Sequence, residues 1–329
     1  MGVNFNIFTA RSREVATVQG PIQPQEPTVV ERERPGRTVQ VARRVQDTFE
    51  AAPVKRDDLP KLFVPDAPGA KELPRMEDPD AAPVNEAAEA QAEKGWETNE
   101  DAVAQQTETG CGEASLAYLN KASRKDEPHR SADQELKEVR AKASEINQPK
   151  TTEKKVDVNL KDGATAEEMG VVLGEMGIDV TEGFEKYDAN AISAALKRGE
   201  FGLALVDSNA ILNSALPAHK QRKEPGELHW VTIDGFNSGR NKKDASDDKY
   251  RVKDPVNGEY WVKAKDLEKA IEQGRQSHGG GGVLAVEKRK DVDTREQRES
   301  LAESNRHRTH GLGKGNGRGS RRLSVGESS

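Results

Sequence analysis

From Cys111 to Val286 the apolar positions follow two different rhythms, helical first and strand-like afterwards. Gly112, Ala114, Leu116, Ala117, Tyr118 and Leu119 crowd the stretch from Cys111 to Ala122 and predict a short helix with a buried stripe. Ser131 with Gln134 three residues later predicts a capping-box start, and Leu136, Val139, Ala143 and Ile146 follow at helical spacing. Thr165 with Glu168 repeats that signature before Met169, Val172, Leu173 and Met176, with Gly177 placed to close the helix in a left-handed conformation. Asp188 predicts the cap of another helix carrying Ile192, Ala195 and Leu196, ended by Gly199. Beyond Gly199 the period shortens, and residues 203–206, 229–236, 249–253, 259–262 and 283–286 read as strands. Asn257-Gly258 is a hairpin signal between the third and fourth of these, and 264–273 predicts one more helix before the last. Helices followed by an antiparallel sheet make an α+β fold.

Outside this region the pattern fades. Of the 329 residues only 33% are hydrophobic and 4% aromatic, against 33% charged, with a mean hydropathy of −0.87; that is too little apolar material for two full cores. Prolines at 21, 24, 27, 35, 53, 60, 65, 68, 74, 79 and 83 remove backbone donors and disfavour helix before each ring. Residues 1–95 are therefore expected to be a disordered Pro/Glu/Ala-rich segment, with at most a local helix around 39–51. Residues 96–287 are expected to be the folded domain, and 288–329 a disordered Gly/Arg/Ser-rich basic tail. The tail, acid-free from Ser304 to Arg322, is the one feature suggesting nucleic acid, and the net charge of −6 argues against that partner. Arg321-Arg322-Leu323-Ser324 resembles a basophilic kinase site, a match that arises easily by chance in such a tail.

No apolar run approaches the roughly 20 residues of a membrane span. The first eight residues lack the basic and apolar regions of a signal peptide, and Asn6 stands where a myristoylation signal wants Ser or Thr. The expectation is a soluble protein, cytoplasmic or exported without a cleaved signal, as secreted effectors and toxins are.

Cys111 is the only cysteine, which excludes an internal disulfide and a Cys-rich zinc site. It sits at a predicted helix start, where uncapped N–H groups and the helix dipole favour a thiolate; locally it reads equally as a small buried cysteine. Gly112 beside it is expected to leave room for a substrate to approach the sulfur. His229 opens a predicted strand, its ring projecting from the sheet edge, and Asp254 ends the next one. Pairing of those strands would let Asp254 hold the imidazole in its productive tautomer, whereas Asp254-Pro255 alone could be only a turn.

Three segments, Gln105-Gln106-Thr107-Glu108-Thr109-Gly110-Cys111-Gly112-Glu113-Ala114, His229-Trp230-Val231-Thr232-Ile233-Asp234-Gly235 and Val252-Lys253-Asp254-Pro255, resemble the double-glycine (bacteriocin-leader) peptidase branch of the papain-like cysteine peptidases. The resemblance covers about 102–286. It implies a papain-like fold, Cys111 as nucleophile, His229 as general base and acid, and Asp254 as its orienter. Gln105 becomes an oxyanion-hole donor, with Gln106 the alternative one residue away. No cofactor or metal enters this chemistry. The family's transporter-fused members continue into membrane spans and an ATPase, both missing here, and the 207–228 connection is longer than two adjoining strands need. The implied activity is thiol-dependent hydrolysis of a peptide or protein through a thioester. Deamidase or transglutaminase-type acyl transfer and a non-enzymatic peptide-binding module remain as alternatives. The N-terminal segment, running directly into Gln105 and Cys111, is a candidate for intramolecular contact with the cleft.

Overall fold

The computed structural model describes Leu73, Arg75 and residues 84–313, except Asp126, His129 and residues 149–156 and 240–244. In chain order the elements are α1 (Ala88–Glu93), α2 (Cys111–Ala122), α3 (Ala132–Asn147), α4 (Ala166–Glu175), β1 (Ile178–Phe184), α5 (Ala189–Lys197) and β2 (Phe201–Asp207). They continue with α6 (Ser208–Asn213), β3 (Leu228–Asn237), β4 (Lys249–Asp254), β5 (Gly258–Lys263), α7 (Ala264–His278), β6 (Gly282–Lys288) and α8 (Arg295–Arg308). The fold is α+β, built on a six-stranded sheet ordered β1-β6-β2-β3-β4-β5 with every neighbouring pair antiparallel.

Strand alternation divides the interior into two cores. Leu203, Leu205, Trp230, Leu284 and Val286 join α2, α3 and α4 on one side, while Ala204, Val206, Val231, Val283 and Ala285 join α5, α6 and α7 on the other. Successive side chains of a strand point to opposite faces, so β2, β3 and β6 are covered twice and read as near-continuous apolar runs. The capping boxes form as the sequence predicts: Ser131 accepts from Gln134 N and Thr165 from Glu168 N, each reciprocated by the side chain at the third helical position. Gly177 and Gly199 close their helices with φ of +75° and +90°. The Asn257-Gly258 signal gives the β4–β5 hairpin, with Gly258 paired to Asp254 at the mouth of a turn over 255–257. Strand β3 lies between β2 and β4, so His229 stands at the end of an interior strand rather than on a sheet edge.

Three features depart from the sequence expectation. Strand β1 is unforeseen, because its register with β6 shifts between Val180 and Glu182 and breaks the alternation that would announce it. The domain also begins before residue 96. Ala87 is fully buried, Glu86 N donates to Phe236 O at 2.8 Å, and the Gln91 amide donates to Glu200 O at 3.1 Å, docking 84–95 on the sheet. Further upstream, Arg75 bridges to Glu259 on β5. Nor is 288–313 a disordered tail. Helix α8 packs on α4 and β1, crossing so close at Gly174 that a Cβ there would stand 2.3 Å from Ala302 Cα. Buried Asn305 secures it, accepting from Val180 N at 2.8 Å and donating to Gly170 O and Ile178 O at 3.1 and 2.9 Å. The helix is polar nearly all round, so its sequence carries little of the apolar stripe by which such elements are recognised. The expected helix around 39–51, the remaining tail from 314 and almost all of residues 1–83 lie outside the described residues. Among the described residues no helix is long and apolar enough to cross a membrane.

Candidate active site

Helix α2 presents Cys111 as its first residue, with Gly110 at the N-cap and no side chain capping the first turn. The helix is fixed against β3 by two polar ties: Ser115 Oγ donates to Trp230 O at 3.1 Å, and the Tyr118 hydroxyl donates to Asp234 Oδ2 at 2.5 Å. Gly112 is part of the same fit. A Cβ there would meet Ala164 Cβ at 2.8 Å and Trp230 Cδ1 at 3.2 Å. Its small size therefore serves the packing of α2 on the residue next to His229. Cys111 is only 3% exposed.

His229 and Asp254 come together through strand pairing. Thr232 faces Lys253 across β3 and β4, which sets Asp254 diagonally across from His229. His229 Nε2 lies 2.9 Å from Asp254 Oδ1, and the Cys111 thiol is near enough to act on the charge of the ring. With Nε2 committed to the carboxylate, Nδ1 is the nitrogen left for sulfur. Burial works against a charged imidazole, yet the charge and hydrogen bond of Asp254, aided by Cys111, outweigh it and push His229 up to about 10.

Asp254 is fully buried and densely bonded. Besides His229, its Oδ1 accepts from Val256 N at 2.8 Å and Asn257 N at 3.2 Å; its Oδ2 accepts from Asn257 Nδ2 at 2.9 Å and the Tyr260 hydroxyl at 2.8 Å. Burial would raise this carboxyl, but His229, the Asn257 side chain and the Val256 amide hold it below the usual carboxylate range. Asp254-Pro255 is thus a turn and an imidazole partner at once. Tyr260 and the Asn257 side chain are missed by the sequence reading, and the hairpin signal at Asn257-Gly258 is the only trace of them.

The two glutamines before Cys111 have separate surroundings. Gln106 belongs to α3, donating to Asp133 Oδ1 at 2.8 Å and accepting from Arg140 at 2.9 Å. Arg140 in turn pairs at 2.7 Å with buried Glu113, in the first turn of α2. Gln105 instead donates its backbone N–H to Pro255 O at 3.0 Å, next to Asp254, and its side-chain amide to Glu108 O at 3.3 Å. Its Oε1 is buried with no hydrogen-bond partner.

The approach to Gln105 is pinned to β4 by the other face of that strand. Arg251 donates to Thr98 O at 2.5 Å and Lys253 to Glu100 O at 2.8 Å, while both pair with buried Asp234. Asp234 sits where the β3–β4 register slips, and such a bulge re-aims a side chain. The 207–228 connection leaves the sheet one residue from His229. It is an ordered excursion through α6, in which Asp207 caps the helix at Ala210 N and accepts from Gly226 N, both at 2.8 Å. The Asn213 side chain closes the loop on the backbone of Arg222, with both bonds at 2.8 Å. Among the described residues no group of three or more His, Cys, Asp or Glu side chains could hold a metal ion. No family model matches this chain, and no curated protein matches its sequence.

Proposed function

We propose that the chain is a papain-like cysteine peptidase. The observation that carries this reading is His229, its charge influenced by Cys111, paired with a buried, fully bonded Asp254. A cysteine serving only as a small core residue has no need of a charged, oriented imidazole at its sulfur. In the proposed reaction the Cys111 thiolate attacks the substrate carbonyl, while the Gln105 amide and the N–H groups at the start of α2 receive the developing oxyanion. As the C–N bond breaks, His229 passes the proton taken from sulfur to the leaving amine, and a thioester remains on Cys111. Water, deprotonated by His229, then attacks the thioester, releases the carboxylate and returns the thiol.

The burial of Cys111 is the observation favouring the rival reading, a peptide-binding module with an idle thiol. A mixture of unstructured polypeptides, digested and read by mass spectrometry, decides between them. Cleavage by the parent and none by Cys111→Ala or His229→Ala supports the peptidase. Conversion of glutamine side chains without chain cleavage would move the assignment to deamidation or transglutamination, and no Cys111-dependent product would favour the module.

A further inference from the structure

Two fully buried tyrosines stand on the paired strands β4 and β5, and their hydroxyls have different partners. Tyr250 on β4 meets the Tyr187 hydroxyl at 3.3 Å and Ala189 O at 3.4 Å, far along the strand from Asp254. Tyr260 on β5 makes one short bond, 2.8 Å, to Asp254 Oδ2, the oxygen that does not touch His229. We infer that Tyr260 is a positioning residue for the candidate active site, clamping the outer oxygen of Asp254 so that the inner one stays aimed at His229 Nε2.

Two donors hold Oδ2, one from the turn and one from the core. The Asn257 side chain belongs to the three-residue turn, whereas the Tyr260 ring sits in the core formed with Val252, Val262, Leu267 and Ile271. With the Tyr260 hydroxyl gone, Oδ2 keeps only the Asn257 amide, and the carboxylate is freer to turn about its Cβ–Cγ bond and carry the imidazole with it. Held by both donors, it fixes the ring that must meet sulfur on its other side. The titratable groups facing Asp254 are His229 from β3, with Cys111 of α2 beyond it, and Tyr260 from β5; Asn257 and the Val256 amide supply uncharged donors. Burial and the adjacent Asp254 charge push the Tyr260 phenol well above its ordinary range, so it remains a donor at every pH at which the fold is used.

This inference rests on the peptidase reading, and its test separates the two. Iodoacetamide labelling of Cys111 and the downfield NMR resonance of the His229 Nε2 proton are followed in the parent, Tyr260→Phe and Tyr250→Phe, with an unfolding curve for each. Tyr260→Phe is expected to slow Cys111 labelling at pH 6 about tenfold, the order that one hydrogen bond to a charged group is worth. It should also lose the Nε2 proton signal to faster solvent exchange. Tyr250→Phe, a hydroxyl deletion of the same kind on the strand carrying Asp254, should keep both. Labelling within twofold of the parent and an intact resonance in Tyr260→Phe would overturn the proposal, as would equal losses in the two variants. The resonance needs no substrate, so Tyr260 is decided even if the parent cleaves no polypeptide.

Discussion

Replacing Asp254 by asparagine removes a charge while keeping the shape. With the amide oxygen in the place of Oδ1, the bonds from His229, Val256 N and Asn257 N survive, and the new NH2 group faces two donors, the Asn257 amide and the Tyr260 hydroxyl. The hydroxyl can turn to accept. The larger loss is the ion pair, whose side chains are 8% and 0% exposed, so water screens it little. Removing one partner of a buried pair costs about 3–5 kcal/mol. The pH dependence gives an independent estimate. His229 is raised to about 10, so its contribution is complete below its unfolded value of ~6.5 and is lost as pH climbs towards the folded value. At about 1.4 kcal/mol per pH unit this is worth several kcal/mol at pH 6 and much less at pH 9. Asp254, held below the carboxylate range, contributes above about pH 4 and loses that contribution on acidification. Urea unfolding of the parent and Asp254→Asn at pH 6 and pH 9 should show a gap several kcal/mol wider at pH 6. An equal gap at both values, or a loss under about 1 kcal/mol at pH 6, would refute the charged-pair account.

Gly112→Ala must push Ala164, Met169 or Trp230 aside, and overpacking of this kind costs about 1–3 kcal/mol. Thermal melting should register that loss, and Cys111 labelling should slow with it, because Trp230 carries His229 in sequence. Asn305→Ala strands Val180 N, Gly170 O and Ile178 O without their partner, at about 1–3 kcal/mol for each group that water cannot reach. A chain ending at Lys290 loses α8 altogether and should melt at a markedly lower temperature by circular dichroism; an unchanged melt would mean that α8 does not dock on α4.

What the sequence discloses and what it hides have physical reasons. Capping boxes at Ser131 and Thr165 and the hairpin at Gly258 are legible because their chemistry is local, closing within three or four residues. Cys111, His229 and Asp254 could be singled out because each stands at an element boundary in a recognisable order, and strand pairing then joins the last two. The different surroundings of Gln105 and Gln106 are not legible in the sequence, since Asp133 and Arg140, which hold Gln106, are remote in sequence. Tyr260 was hidden for a similar reason: on β5 it reads as one more aromatic strand residue, and only the β4–β5 register turns its hydroxyl to Asp254. Helix α8 is hard to read because it buries only Leu301, Ala302 and Asn305, and its close approach needs a glycine on a different helix.

The central proposal is that His229, held by Asp254, activates the Cys111 thiol. The most direct measurement is the iodoacetamide labelling rate of Cys111 at pH 6 relative to pH 8.5, read by intact mass in the parent and in His229→Ala. Taking the ratio within one protein cancels the slow access imposed by burial. An ordinary thiol, with a pKa near 8.5, reacts on the order of 150-fold more slowly at pH 6 than at pH 8.5. The account predicts a less steep fall in the parent than in His229→Ala. A parent that falls as steeply as an ordinary thiol, or a ratio that ignores the loss of His229, would contradict it.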